Sequence, residues 1–164
     1  MNENLRILGI DPGDKRIGLA ISDLTGTIAN PLNVLVHVKR EEDARTIVSI
    51  AEKNDVKFII VGFAMGEEGE ITPSGRKAVR LADVIKSFTT IPVILWDESG
   101  STNEARLARK LMGVKRKNLK GHMDDLAATV ILQSYLDVQM IGVQSNIDSN
   151  IDSNIDSNID SNAE

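Results

Sequence analysis

Residues 5–23, LRILGIDPGDKRIGLAISD, contain two short apolar runs joined by a turn. The first run, Leu5–Asp11, is rich in Ile and Leu, and the second, Arg16–Asp23, alternates apolar and polar side chains. The segment Pro12–Asp14 between them has the sequence PGD, which is typical of a turn. The stretch therefore predicts a β-hairpin at the beginning of the chain.

Three further apolar segments predict strands. Ile28–Val38 is rich in Val, Leu and Ile, and Pro31 indicates an irregular or edge strand, because proline cannot donate a ladder hydrogen bond. Lys57–Gly62 and Pro92–Asp97 are short continuous apolar runs, which are typical of buried parallel strands. Four segments have apolar residues at helical spacing or a capping sequence and predict helices: Glu41–Lys53, Pro73–Lys86, Ser101 to about Met112, and Asp124–Val138.

The order of these elements, β-β-β-α-β-α-β-α, predicts the fold class. Three strands in an antiparallel meander followed by β-α units imply an α/β protein with a mixed five-stranded sheet and helices packed on it. That order matches the ribonuclease H-like architecture. A doubly wound sheet of the flavodoxin type is the alternative, but it begins β-α-β and this chain begins with a hairpin.

The composition excludes several classes of protein. The 164 residues include no cysteine, so disulfide scaffolds, cysteine-ligated zinc and thiol nucleophiles are ruled out. The amino terminus lacks the basic segment and apolar stretch of a signal peptide, and no apolar run approaches the roughly 20 residues of a membrane-spanning helix. We therefore expect a cytoplasmic protein that does not interact with membranes.

The last twenty residues differ from the rest. SNID repeats four times from Ser145 to Asp160, and one isolated Ile in every four residues cannot form a core. We expect residues 1–144 to form one domain and residues 145–164 to be a disordered tail. The net charge of −5 comes from this tail, because residues 1–144 contain 19 basic and 19 acidic residues.

A basic segment lies inside this neutral domain. The segment from Ala105 to Met123 contains seven basic residues and no acidic one. Such a patch is the electrostatic signature of phosphate binding, although a solvated helix face and loop is the simpler alternative.

Carboxylates occur where predicted elements end or begin. Asp11 ends the first strand, Glu98 follows the fifth, and Asp124 and Asp125 open the last helix. Because sites gather at the carboxyl ends of parallel strands, we expect Asp11 and Glu98 at one sheet edge. Clustered carboxylates suit Mg²⁺ or Mn²⁺, which can activate water for phosphodiester hydrolysis. Each carboxylate also has a simpler interpretation. Asp11 could be only a turn residue, Glu98 an exposed loop acid, and Asp124 or Asp125 an acid favoured by the dipole at the start of a helix.

Basic residues beside these carboxylates are candidates for contacts with nucleic-acid phosphates. Arg76 could equally be an ordinary residue of a helix surface, and His122, which could assist proton transfer, is more simply a surface residue. The six candidates are Lys15, Arg16, Arg76, Lys115, Arg116 and Lys117.

Four motifs together carry a family resemblance. GIDPGDKRIGLAISD, IIVG, WDES followed by STNEARLARKLMG, and HMDDLAATVILQSYL resemble the YqgF/RuvX family over about residues 5–137. That family is described as Holliday junction resolvases and as nucleases for the 5′ end of pre-16S rRNA. The resemblance implies a ribonuclease H-like fold. It also implies catalytic and metal-binding roles for Asp11, Glu98 and, through the pattern Asp-x-x-Ala-Ala, Asp124 rather than Asp125.

The chain departs from the family pattern at two places. After the glutamate that corresponds to Glu98, the family usually has Arg, whereas this chain has Ser99. After the glycine that corresponds to Gly62, the family usually has Leu-Pro and then an Asn-x-Asp-Gly run. This chain instead has FAMG followed by three glutamates, at the Gly66–Thr72 loop. These changes affect substrate contacts rather than the carboxylates.

Three functions remain open from the sequence. The first is a metal-dependent endonuclease, either for the 5′ end of pre-16S rRNA or for branched DNA such as a Holliday junction. Junction resolution requires a homodimer to make two symmetric cuts, whereas a monomer favours RNA processing. The second is a non-catalytic nucleic-acid-binding module. The third is an actin-like sugar kinase, because Asp11–Gly13 resembles the phosphate loop of those enzymes. Such enzymes, however, need two domains around the nucleotide.

Overall fold

The computed structural model describes residues 4–98 and 126–142. The predicted helix from Ser101, the basic loop, Asp124 and the SNID tail lie outside these residues, so the boundary between domain and tail stays a prediction. The elements are β1 Ile7–Pro12, β2 Arg16–Ser22, β3 Ala29–Val36, α1 Arg40–Lys53, β4 Phe58–Phe63, α2 Pro73–Phe88 and β5 Val93–Asp97. Residues 126–142 are also helical and are called α3 below.

The five strands form one mixed sheet with the order β3-β2-β1-β4-β5. β1 pairs antiparallel with β2 and β2 with β3, which confirms the predicted hairpin and meander. β1 pairs parallel with β4 and β4 with β5, as expected for the two later apolar runs. The carboxyl ends of β1, β4 and β5 therefore lie at the same edge of the sheet.

β3 is an edge strand, as Pro31 indicated. Its register with β2 shifts at this point, because Leu19 pairs with Asn33 while Ala20 pairs with Pro31. One extra residue on β3, Leu32, makes a bulge there. The predicted limits of this strand were too wide by one residue at its beginning and two at its end.

α1 and α2 cover one face of the sheet. Alternate residues of the central strands, including Leu8, Ile10, Ile59 and Val61, point to this face and are fully buried. The helices contribute small and branched residues at helical spacing, such as Ala44 in α1. This is the larger of the two cores, and most of its apolar area comes from Ile, Leu, Val and Ala, as the low aromatic content requires.

α3 covers the opposite face and approaches the sheet closely. A methyl group added at Gly9 in β1 would lie 2.7 Å from Leu132 Cβ and 3.4 Å from the Ala128 carbonyl oxygen. Over β5, the Trp96 indole donates a hydrogen bond to Ser134 Oγ (2.9 Å) and meets the Tyr135 ring edge-on, with centroids 5.3 Å apart. The absence of a side chain at Gly9 thus lets the helix rest on the strand backbone.

The direction of α3 follows from its contacts. Ala128 lies against Gly9, and five residues later the Gln133 amide exchanges hydrogen bonds with Thr27 and Ala29 at the beginning of β3. The beginning of β3 is level with the Ile7 end of β1, because Ala29 pairs with Ser22, whose Oγ accepts from Ile7 N. The earlier residues of α3 therefore lie toward the Asp11 end of β1. The helix continues past Val138, where it was predicted to end, since no breaker precedes Gly142.

None of the helices in the described residues has the length and apolar character to cross a membrane.

The turn between β2 and β3 is organised by one carboxylate. Asp23 accepts backbone hydrogen bonds from Thr27 N (2.8 Å) and Ile28 N (2.9 Å), and a further one from the Thr25 hydroxyl. These donors, with the Ile28 amide contributing most, lower the pKa of Asp23 from 3.8 to about 2. Each donor favours the charged form, so the turn is most stable when Asp23 is ionised.

We expect Gly9→Ala to destabilise the fold by about 1–3 kcal/mol, because the added methyl group forces α3 away from β1. Urea unfolding followed by circular dichroism measures this. Gly142→Ala is the matched control, since a Cβ there meets no described atom within 4 Å apart from its chain neighbours and the backbone of its own helix. Equal stability of the two variants would show that α3 does not rest on Gly9.

We expect the stabilisation from Asp23 to vanish in acid. Its folded pKa is depressed, so its contribution is complete above its ordinary pKa of 3.8 and is lost as the pH falls toward 2. Unfolding free energies of the wild type and Asp23→Asn should therefore differ at pH 6 and converge by pH 2. Asp55→Asn removes one exposed carboxylate from another turn and measures the effect of net charge alone. A difference that stays constant between pH 6 and 2 would contradict this account of Asp23.

Candidate active site

Asp11 lies near the carboxyl end of β1, half-buried, on the face that α3 covers. Alternation along the strand establishes this, because Ile10 is in the α1/α2 core whereas Gly9 contacts α3. The Asp11 carboxylate therefore lies where the buried apolar residues of β1 end and the turn to β2 begins.

Glycines flank Asp11 on both neighbouring strands. In β2, Gly18 is its direct pairing partner. In β4, Gly62 is at the same level, because Ile10 pairs with Val61 and each strand then advances by one residue. Partners at one level share a face of the sheet. β2 and β4 therefore place no side chain beside Asp11 at this level, and we call Gly18 and Gly62 with the backbone between them the glycine shelf.

Glu98 reaches this shelf from the carboxyl end of β5. Its backbone N–H donates to Phe63 O (2.9 Å), which continues the β4–β5 ladder one residue past β5. A methyl group added at Gly62 would lie 2.7 Å from Glu98 Oε1 and 2.7 Å from Ile131 Cδ1. The Glu98 carboxylate thus occupies the space above Gly62, on the α3 face. The structure brings Asp11 and Glu98 to one edge and one face of the sheet, while their chemical roles stay predictions.

The third predicted carboxylate, Asp124, lies outside the described residues, as do Asp125 and His122. In residues 4–98 and 126–142, no group of three or more His, Asp or Glu side chains has the arrangement of a metal site. Two of the three predicted ligands are therefore placed. Leu126, the first described residue of α3, belongs to the part of the helix that lies toward the Asp11 end of β1.

Lys15 and Arg16 are exposed in the turn that follows Asp11. The turn is closed by a hydrogen bond from Gly13 N to Arg16 O (2.9 Å), and a Cβ at Gly13 would lie 2.3 Å from that oxygen, so only glycine fits there. A second bond, from His37 N to Lys15 O (2.9 Å), ties the turn to the end of β3. Lys15 and Arg16 thus lie at the end of a short turn that begins directly after Asp11 and is held by these two hydrogen bonds.

Arg76 has a local partner. It lies in the first turn of α2, where its guanidinium donates to Ile71 O (2.9 Å), and the helix is capped by Thr72, whose Oγ1 accepts from Gly75 N (3.0 Å). This contact braces the Gly66–Thr72 loop, in agreement with the simpler interpretation of Arg76 as a helix-surface residue. Its exposed position leaves the phosphate role a prediction. Lys115, Arg116 and Lys117 lie outside the described residues.

The glycine shelf is not evident from the sequence. Gly18 and Gly62 are far apart in the chain and look like ordinary strand glycines. A glycine inside a strand often marks a close approach, which was the available signal, but the pairing register was needed to place both beside Asp11.

The sequence of this chain matches a known protein family and several named relatives. The RuvX family, described as Holliday junction resolvase, matches residues 5–138. A relative from Thermoanaerobacter pseudethanolicus, named as a candidate pre-16S rRNA nuclease, is 42% identical over 82% of this chain and 98% of its own length. One from Clostridioides difficile, with the same name, is 36% identical over 82% of this chain and 96% of its own.

Solved structures support the fold. The RuvC protein of Thermus thermophilus, in complex with a Holliday junction substrate, is similar with a TM-score of 0.53 and 17% identity, over 83% of this chain and 96% of that one. A second RuvC structure from Thermus thermophilus gives a TM-score of 0.51, also at 17% identity. The predicted ribonuclease H-like fold is thus confirmed.

We expect Gly62→Ala to disturb the site more than the fold. The methyl group would collide with both Glu98 Oε1 and Ile131, so the carboxylate must leave the shelf. Mn²⁺ titration followed by electron paramagnetic resonance should show affinity reduced about tenfold or more, in the range that displaced ligand support produces. Gly9→Ala is the control, because it also disturbs α3 packing but does not contact Glu98. Equal affinity loss in both variants would mean that the effect comes through α3 alone.

Proposed function

The chain belongs to the RuvX family, and from this membership and the geometry of Asp11 and Glu98 we propose that it is a metal-dependent endonuclease. It hydrolyses phosphodiester bonds in structured nucleic acid, and its substrate is the 5′ end of pre-16S rRNA. The observation that supports the proposal best is the convergence of two carboxylates from separate parallel strands above the glycine shelf.

The donor set suits a hard divalent cation. Asp11 and Glu98 offer carboxylate oxygens, which Mg²⁺ and Mn²⁺ prefer, and the absence of a side chain at Gly62 gives the Glu98 carboxylate its place on the shelf. Asp11, Glu98 and Asp124 would hold the ion or ions. Bound there, the metal would supply a Lewis acid that lowers the pKa of a coordinated water and offsets charge on the scissile phosphate.

Asp124 completes the proposed ligand set. It stands two positions before Leu126 in the sequence, and the early part of α3 lies toward the Asp11 end of β1. A carboxylate supplied from that side would face the two on the sheet. Asp125 is the alternative, but the family pattern favours Asp124.

The remaining role of this chain is to position the phosphate backbone. Lys15 and Arg16, on the braced turn after Asp11, contact phosphates next to the scissile bond. Arg76, Lys115, Arg116 and Lys117 extend the contacts along the strand. Such contacts fix the substrate without reading its sequence.

The choice of substrate follows the names of the relatives, which at 36–42% identity are candidate pre-16S rRNA nucleases. The second candidate is cleavage of a Holliday junction, favoured by the family description and by the RuvC fold. A non-catalytic binding module is the third, suggested by Ser99 in place of the usual arginine and by the altered Gly66–Thr72 loop. Processing of ribosomal RNA places the protein in the cytoplasm and requires only a monomer, whereas junction resolution requires a homodimer.

The test is cleavage of two labelled substrates, a precursor 16S rRNA 5′ segment and a four-way DNA junction, each with Mg²⁺, Mn²⁺ or chelator. We expect the RNA to be cut only with metal. Asp11→Asn and Glu98→Gln should each lower the rate about 10³-fold, which corresponds to the several kcal/mol that a catalytic metal contributes.

Asp55→Asn and Glu52→Gln are the matched controls, since they remove exposed carboxylates of the same two types at sites away from the shelf. Cleavage of the junction alone would select the resolvase. Tight binding of both substrates without any cutting would refute the nuclease and leave the binding module.

A further inference from the structure

A polar cleft of about 380 Å³ lies on the other face of the sheet from the carboxylates. It is bounded by the β1–β2 turn at Pro12–Asp14, by the beginning of α1 and by α2. Asp11 directly precedes Pro12, so the cleft and the carboxylates share one edge of the sheet. Of the predicted site residues that the structure describes, none lines the cleft.

The two acids in the cleft are already paired. Asp14 accepts from Lys77 Nζ at 2.5 Å, and this hydrogen bond and charge lower its pKa. Asp43 is 4% exposed and accepts from His37 Nδ1 at 2.5 Å and from Val38 N at 3.2 Å. Both carboxylates are therefore hydrogen-bonded by neighbouring groups, and the Lys77 ammonium offsets the charge of Asp14.

Two arginines in the cleft have no such partner. Arg40 begins α1 and Arg80 lies on the second turn of α2, and both line the cleft. Within residues 4–98 and 126–142, neither guanidinium makes a hydrogen bond or an ion pair. The paired acids and these unpaired guanidinium groups leave the cleft with an excess of positive charge. Ser74, in the first turn of α2, also lines it, so both helices begin beside the cleft and add the positive ends of their dipoles.

We propose that this cleft binds a phosphate group through Arg40 and Arg80. The guanidinium fork matches phosphate oxygens in a bidentate manner, and the ring of His37, held through Nδ1 by Asp43, leaves Nε2 as a further polar contact. The phosphate could come from the backbone of a nucleic acid or from the terminus of a strand, and both sources have the same chemistry. If the phosphate comes from a nucleic-acid backbone, the cleft extends the proposed substrate path around the edge of the sheet. This extension rests on the proposed function.

The test uses the full chain and does not depend on cleavage. Inorganic phosphate and pyrophosphate are titrated by calorimetry into the wild type, Arg40→Gln/Arg80→Gln and Arg45→Gln. Arg45 is the matched control because it removes a guanidinium from α1 outside the cleft, where it stacks on Phe88. We expect the affinity to fall at least about tenfold in the double variant and to be unchanged in Arg45→Gln. No saturable binding, or an equal loss in the control, would overturn the proposal.

A second arm identifies the source of the phosphate. Binding of a single-stranded RNA 12-mer, with and without a 5′-phosphate, is measured in chelator so that no cutting occurs. If the cleft takes backbone phosphate, both RNAs lose affinity in the double variant, and the slope of log K against log salt falls by about 1.4, the value for two lost contacts on a single strand. If it takes a terminal phosphate, only the phosphorylated RNA is affected. If the double variant binds both RNAs as tightly as the wild type, the cleft takes only free phosphate. These outcomes do not depend on whether the protein cleaves RNA, because binding is measured in chelator.

Discussion

The close approach of α3 to the backbone of β1 at Gly9 is the constraint on which the rest of the structure depends. The two faces of the sheet are built differently. The α1/α2 face is filled by large side chains such as Leu8 and Ile59, whereas the α3 face has glycine at three positions of the central strands, Gly9, Gly18 and Gly62. The missing side chains let the helix sit low on the sheet and, at Gly62, leave the place that Ile131 and the Glu98 carboxylate take. The tight packing of α3 and the position of the Glu98 carboxylate thus have the same origin.

Much of the fold could be predicted from the sequence, because each strand and helix has a strong local pattern. The hairpin, the parallel strands and the edge position of β3 follow from apolar runs, turn residues and Pro31, and the structure has all of them. The convergence of Asp11 and Glu98 followed from the rule that parallel strands end at one edge. Pairing register and long-range contacts could not be predicted, because they depend on residues far apart in the chain. The glycine shelf and the cleft of Arg40 and Arg80 both depend on such contacts.

The edge of the sheet at Asp11 carries opposite electrostatic characters on its two faces. Above the glycine shelf lie the carboxylate of Glu98 and, beside it, that of Asp11. On the other side lie Arg40, Arg80 and the amino termini of α1 and α2, with the local acids already hydrogen-bonded. The turn Pro12–Asp14 lies between the two. If both proposed sites bind as described, a polyanion that crosses the edge would meet metal at one phosphate and arginine at another.

The strand order also has a consequence for the time at which the site forms during synthesis. β1 is made first, but its parallel neighbour β4 lies some fifty residues later and β5, with Glu98, later still. The meander β1–β2–β3 requires only local contacts and can form early, whereas the carboxylate pair requires the closure of long loops. Because α3 covers the face only when residues 126–142 have emerged, a partly synthesised chain has Asp11 but not yet the helix above it. We expect a nascent chain of this topology to bring Asp11, Glu98 and α3 together only once nearly the whole domain has been made.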